Sequence, residues 1–245
     1  LEDASLDTAL EVDRLDGPGG QLSLTAAYAN ANEQLELDLN LSEPENGIVA
    51  NLLNIEGRPP VALQLAGSGP LSALDVHLSL DAAGERILTG ATQVRRQNDG
   101  LAYSAQLNGP IAQIIPAQFR DFFGAETTLQ ANGLVRDTGG VLLKALNLQS
   151  AALTLEASAE TAQDGFLRRL SLNTSIDNGT DSRIILPVPG GETTVSRAQA
   201  IVSYGEAGSD QWSGQITVED LTTQEFAASR ANFDLGGLAQ NLDQP

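Results

Sequence analysis

The sequence predicts an all-β chain, an elongated antiparallel meander carrying one or two short helices. Three observations predict it. Apolar and polar residues alternate strictly along most of the 245 residues, which places one kind of side chain on each face of a strand. Turn-forming clusters of Gly, Asn, Asp and Pro interrupt the alternation at intervals of roughly 10 to 15 residues, too short for crossover helices, so neighbouring strands pair antiparallel. A loose repeat relates Leu63–Gly69 and Val76–Leu80 to Leu153–Ala159 and Leu170–Thr174, and hairpins repeated edge to edge build quasi-linear structures.

Element by element, Leu22, Leu24, Ala26 and Tyr28 alternate with polar or small residues, and Leu35, Leu37, Leu39 and Leu41 alternate with Glu36, Asp38 and Asn40. The same period returns at Val61, Leu63 and Leu65, at Leu74, Val76, Leu78 and Leu80, and at Leu101, Tyr103, Ala105 and Leu107. It continues through Leu170, Leu172, Thr174 and Ile176 to Trp212, Ile216 and Val218, and ends at Ala231, Phe233 and Leu235. About fifteen strands follow from this count. Between them lie Asp16 to Gly20, Asn98-Asp99-Gly100, Asp137 to Gly140, Asp164-Gly165, Asn178-Gly179 and Gly205 to Asp210, all read as turns. Gly47 to Ile55 and Ile111 to Phe123 break the period with three- and four-residue spacing and read as short helices that cap or plug the sheet, Pro116 starting or kinking the second. Residues 1–245 form one elongated segment, with 111–123 the candidate internal break.

Composition narrows the function. With 41% hydrophobic residues the chain has the means to bury a substantial core. Its 13 basic against 32 acidic residues, a net charge of −19, exclude nucleic acid as a partner and disfavour acidic membrane surfaces. Neither Cys nor Met occurs, so the chain reads as an excised piece of a longer product, and zero Cys fits an oxidising compartment. No run approaches the ~20 apolar residues that span a bilayer as a helix.

The sequence carries no catalytic motif and no metal-ligand set. His77 is the single histidine and falls on the polar phase of its strand. Without Cys or a second His, zinc and thiol chemistry lack ligands. Gly67-Ser68-Gly69 reads as a turn, not a nucleophile elbow. No phosphate-cradling glycine motif precedes a helix. Asp177 to Asp181 has the oxygens of a calcium loop but neither its closing Glu nor its helices, and reads as a plain turn. Glu2-Asp3 and Glu219-Asp220 read as solubilising edge charges. No metal and no cofactor is expected, and no enzymatic activity.

What remains is the apolar face. Its candidate lipid-binding residues are Leu22, Leu24, Leu35, Leu37, Leu39, Leu41, Val61, Leu63, Leu65, Val76, Leu78, Leu80, Leu170, Leu172, Ile176, Ile216 and Val218. Only 4% of residues are aromatic, which favours aliphatic partners or plain core packing over carbohydrate or peptide hot spots. An ordinary sandwich core, with the apolar face packed against itself, stays open as a purely structural reading.

The block Gly57 to Leu71, followed by an alternating strand, resembles the repeated blocks of TamB-type proteins in the AsmA-like group, the inner-membrane component of the translocation and assembly module. Phe119 to Gly124 and Leu186 to Gly190 resemble them in their spacing between strands. The resemblance implies an inner-membrane anchor upstream and a periplasmic body in a Gram-negative cell, its sheet curled into an open, β-taco-like trough. It implies phospholipid acyl chains as cargo and an outer-membrane assembly barrel of the TamA/BamA class as a partner, engaged through other parts of the parent chain. The alternative is a chaperone or scaffold module that assists outer-membrane protein assembly by adding strands to a sheet edge.

Overall fold

The computed structural model describes residues 5–239 except 16, 18, 181 and 190. Among them, sixteen strands form a single antiparallel sheet that does not close on itself. They are β1 (Ser5–Asp13), β2 (Gln21–Ala29), β3 (Gln34–Glu43), β4 (Val61–Pro70), β5 (Asp75–Ala82), β6 (Glu85–Gln97), β7 (Gly100–Gly109), β8 (Thr127–Arg136), β9 (Val141–Gln149), β10 (Leu153–Thr161), β11 (Leu167–Ile176), β12 (Ile184–Ile185), β13 (Thr194–Val195), β14 (Arg197–Tyr204), β15 (Gln211–Thr222) and β16 (Ala227–Leu238). From β1 to β11 each strand pairs with the next in sequence, an unbroken meander. The alternating chain thus becomes an open all-β trough. Its surface of 14835 Å² exceeds the ~10,400 Å² of a compact monomer of this mass, as an open sheet with two solvent-accessible faces requires.

The meander is interrupted once. β11 pairs with β14 and not with β12, while β12 and β13 form a two-residue ladder attached to the end of β15 through Thr194 and Thr222. Pro187 and Pro189 lie between these two short strands; each lacks an N–H to donate, and no ladder extends across them. The strand total is therefore sixteen rather than about fifteen.

The two rims of the sheet differ. On one, the connections are short turns at 30–33, 71–74, 98–99, 137–140, 162–166 and 205–210. On the other lie most of the long ones, at 44–60, 110–126 and 177–196. The expected helix at 47–55 is a short helix, α1 (Ile48–Leu52), and the expected helix at 111–123 is two 3-10 turns followed by one helical turn, α2 (Arg120–Phe123), with Pro116 at the head of the second 3-10 turn. β7 and β8 pair directly beneath this insert, so the sheet runs past it without a break.

Among the described residues, these inserts hold half of the buried hydrophobic core. Ala50 and Ile55 from the first pack with Val61, Leu80 and Ile114. Phe122 from the second packs with Ala152, Ile184 and Val195, and with Leu153, Ile176, Ala198 and Val218 of the sheet. Two features seat them. Glu43, 6% exposed, accepts hydrogen bonds from the Ile48 and Val49 amides at 3.0 and 2.7 Å and so satisfies the open N-terminus of α1. Gly124, at φ 68°, lets α2 close against Ala151, whose Cβ would lie 2.4 Å from any Cβ at this position.

Asp177 accepts the Gly179 amide at 2.8 Å and the Arg197 guanidinium at 2.8 Å, and these bonds, the amide first, hold its carboxyl below the usual carboxylate range. This is an Asx turn, and Asp181 lies outside the described residues. Gly67-Ser68-Gly69, expected as a turn, is the interior of β4. Its glycines leave room for neighbours: a Cβ on Gly67 would stand 3.1 Å from Val76 Cγ2, and one on Gly69 2.5 Å from the Ala73 carbonyl. Asp16 and Pro18 of the first turn cluster, and the Glu2-Asp3 pair, also lie outside the described residues.

Candidate functional site

Antiparallel register decides which side chains share a face, and here it keeps one phase across the whole sheet. Leu24 stands opposite Leu39, Leu39 opposite Leu65, Leu65 opposite Leu78 and Leu78 opposite Gly90. Gly90 then meets Leu107, Leu107 meets Leu129, Leu129 meets Leu148 and Leu148 meets Leu155. The row ends through Thr174, Ala200 and Ile216 at Phe233. Paired residues in a ladder project to the same side, so this transverse row, broken only by Gly90 and Thr174, is an apolar band across thirteen strands, β2 to β16 without β12 and β13.

Parallel rows carry the rest of the expected set. Leu22, Leu41, Leu63 and Leu80 are successive partners, with Val61 opposite Glu43 and Ala82 beside them. Leu37 and Val76 flank Gly67, and Leu172 joins the same row further along. Leu35, Leu170, Ile176 and Val218 complete it, so all seventeen expected residues share one face. Sixteen of them are half-buried; Val61, under α1, is 2% exposed. A sandwich interior would be buried throughout, and a flat sheet face would be open. The half-buried state belongs to a concave surface lined on itself and covered only along the rim that bears the inserts.

Near the β1 end, residues 7–9, 25–27, 36–38 and 67–68, from both phases of the strands, line a groove of about 550 Å³. The opposite face is polar. It carries the ion pairs Arg95–Asp75 at 2.7 Å, Arg136–Glu160 at 2.9 Å and Arg86–Asp81, and the exposed His77, whose partners are Ala66 and Ala91. Exposed pairs of this kind add little stability and keep the outer face wet. Among the described residues there is no cluster of three or more metal-ligating side chains, and no helix long and apolar enough to cross a membrane.

The structure adds residues to the face that were left out of the sequence-based set. Leu107, Leu129, Leu146, Leu148 and Leu155 line its middle. Tyr28, Tyr103, Tyr204 and Trp212 also lie on it, and burial raises the Tyr103 phenol above its ordinary value. Comparison with protein families, curated proteins and solved structures returns no match.

Proposed function

We propose that this chain is a non-enzymatic groove segment of a TamB-type, inner-membrane-anchored periplasmic protein, and that the groove carries phospholipid acyl chains between the inner and outer membranes. The observation that carries this reading is the single apolar phase held in register across the sheet with no second layer packed over it. An apolar face this long is stable in water only if something apolar covers it in use. Each methylene withdrawn from water contributes about 0.8 kcal/mol, so a chain of about sixteen carbons gains on the order of 10 kcal/mol before ordering costs. Aliphatic rows without deep pockets let such a chain slide. An outer-membrane assembly barrel is the partner that this reading places at the far end of the parent protein.

A second reading has its own support. Every residue of β1 is exposed, Leu6, Leu10 and Val12 among them, so this edge offers unpaired backbone donors and acceptors to a strand of a nascent outer-membrane protein. The test separates the two readings. In the intact parent protein, Leu37→Glu or Leu78→Arg places a charge in the groove while Asp38→Arg alters only the wet face, so lipid photo-crosslinking falls in the first two and persists in the third. Melting by circular dichroism should show all three folded, the two Leu variants weakened, because a long charged side chain on a half-open face bends to water. Undiminished crosslinking in both folded Leu variants rules out the conduit. Bound strand peptide without lipid in native mass spectrometry favours the edge.

A further inference from the structure

The chain has three tyrosines and one tryptophan, and all four stand in one transverse row of the sheet. Tyr28 is opposite Leu35 and Leu35 opposite Gly69. Across the next hairpin the Val94 amide donates to the Leu74 carbonyl at 2.8 Å, and Val94 is opposite Tyr103. Tyr103 continues through Gly133, Leu143, Ala159 and Leu170 to Tyr204, which is opposite Trp212. This row runs along the rim of short turns. Of the phenylalanines, Phe119, Phe122 and Phe123 sit in the 110–126 insert and Phe226 in the 223–226 turn on the opposite rim, Phe233 lies within β16, and Phe166 alone stands at the short-turn rim, in the 162–166 turn.

Two of the four rings lie across bare backbone. A Cβ on Gly133 would stand 2.5 Å from Tyr103 Oη, and one on Gly237 would stand 2.9 Å from Trp212 Nε1. The rings therefore lie along the face. Among the described residues, none of the three phenol hydroxyls and no indole N–H donates to or accepts from a protein group. Aromatic side chains with one polar atom settle where an apolar phase meets a wet one. The face extends six residues from Trp212 to Val218, roughly 20 Å at strand rise, which accommodates the ~15 Å acyl layer of one leaflet.

We infer that this row is an interfacial belt: diacyl glycerophospholipids lie in the groove at separate stations along it, their head and ester groups against Tyr28, against Tyr103 or against the Tyr204–Trp212 pair, and their chain ends toward the rim of inserts. The inference rests on the acyl-groove reading and adds the orientation of the lipid and the residues that set it. The hydroxyls and the indole N–H donate to ester and phosphate oxygens, and the inserts seal the end where the methyl termini lie.

Trp212, the single tryptophan, is its own reporter. The chain is loaded from phosphatidylcholine vesicles containing either a lipid with a nitroxide on its head group or a lipid brominated near its chain ends, and tryptophan emission is followed. Head-group nitroxide quenches Trp212 about twofold or more beyond the chain-end bromine. In Trp212→Phe combined with Phe233→Trp, the reporter moves about 13 Å toward the insert rim and the ranking inverts. Equal quenching by the two lipids, stronger chain-end quenching of Trp212, or an unchanged ranking in the double variant overturns the orientation and leaves the groove intact. Quenching by neither lipid overturns the groove reading, and the orientation with it.

Discussion

Leu142 and Leu143 are adjacent in the sequence, and simple alternation cannot place both on the apolar face. A bulge decides which one joins it: Asn132 pairs with Ala145 but Gly133 with Leu143, so Leu143 enters the aromatic row while Leu142 takes the other face, opposite the buried Leu134. Single-residue facts of this kind were not legible from periodicity. Neither was the strand identity of Gly67 to Gly69, because glycine's turn preference is outweighed when a neighbouring Val76 or Ala73 needs the space. The phase of Leu37 and Leu78 was legible, since each has apolar residues two positions away on both sides. Tyr103 gives a prediction at this scale. Burial raises its phenol in the folded chain, so the folded state keeps a proton that the unfolded chain releases. Stability from this group is fully present below the ordinary tyrosine range near ~10 and falls as pH rises through the folded value. Denaturant unfolding between the ordinary tyrosine value near ~10 and the raised folded value should show wild type losing stability with pH more steeply than Tyr103→Phe.

At the scale of elements, strands were the easy part and inserts the hard part. Alternation needs only local sequence, whereas α1 has five residues, too few to be stable alone, and owes its existence to Ala50 and Ile55 packing under the rim and to Glu43 at its N-terminus. β12 and β13 had no signal at all, because two-residue strands have no period and form only where Ile184 and Val195 are buried against Phe122 and Ala152. Gly47 completes the cap by its lack of a side chain: a Cβ there would stand 2.6 Å from Glu43 Oε2. Glu43→Ala removes both accepted hydrogen bonds and is expected to cost about 1–2 kcal/mol. Amide exchange should accelerate across 48–53 while β8 to β11 remain protected. Unchanged exchange at Val49 would show that packing alone seats the helix.

For the whole molecule, the all-β class and the antiparallel pairing followed from turn spacing, but the absence of a second layer did not. Alternation reads the same in a sandwich and in an open trough, and only register and burial distinguish them. The half-buried face and the 14835 Å² of surface lead to a shape prediction: small-angle scattering returns a radius of gyration of about 22 Å or more, against ~18 Å for a compact globule of this length. A value at the compact limit would mean that the sheet folds back on itself in solution. The strand order has a further consequence, in mechanics. Outside the 177–196 insert, each strand is hydrogen-bonded only to its sequence neighbours, and only the packing of the rim inserts reaches further along the chain. Cohesion is then a sum of nearest-neighbour terms along one dimension. A tensile load applied at the two ends is borne by one hairpin at a time, and the chain peels inward from β1 and β16 in small, separate steps. The trough is stiff across its strands and weak against being unzipped.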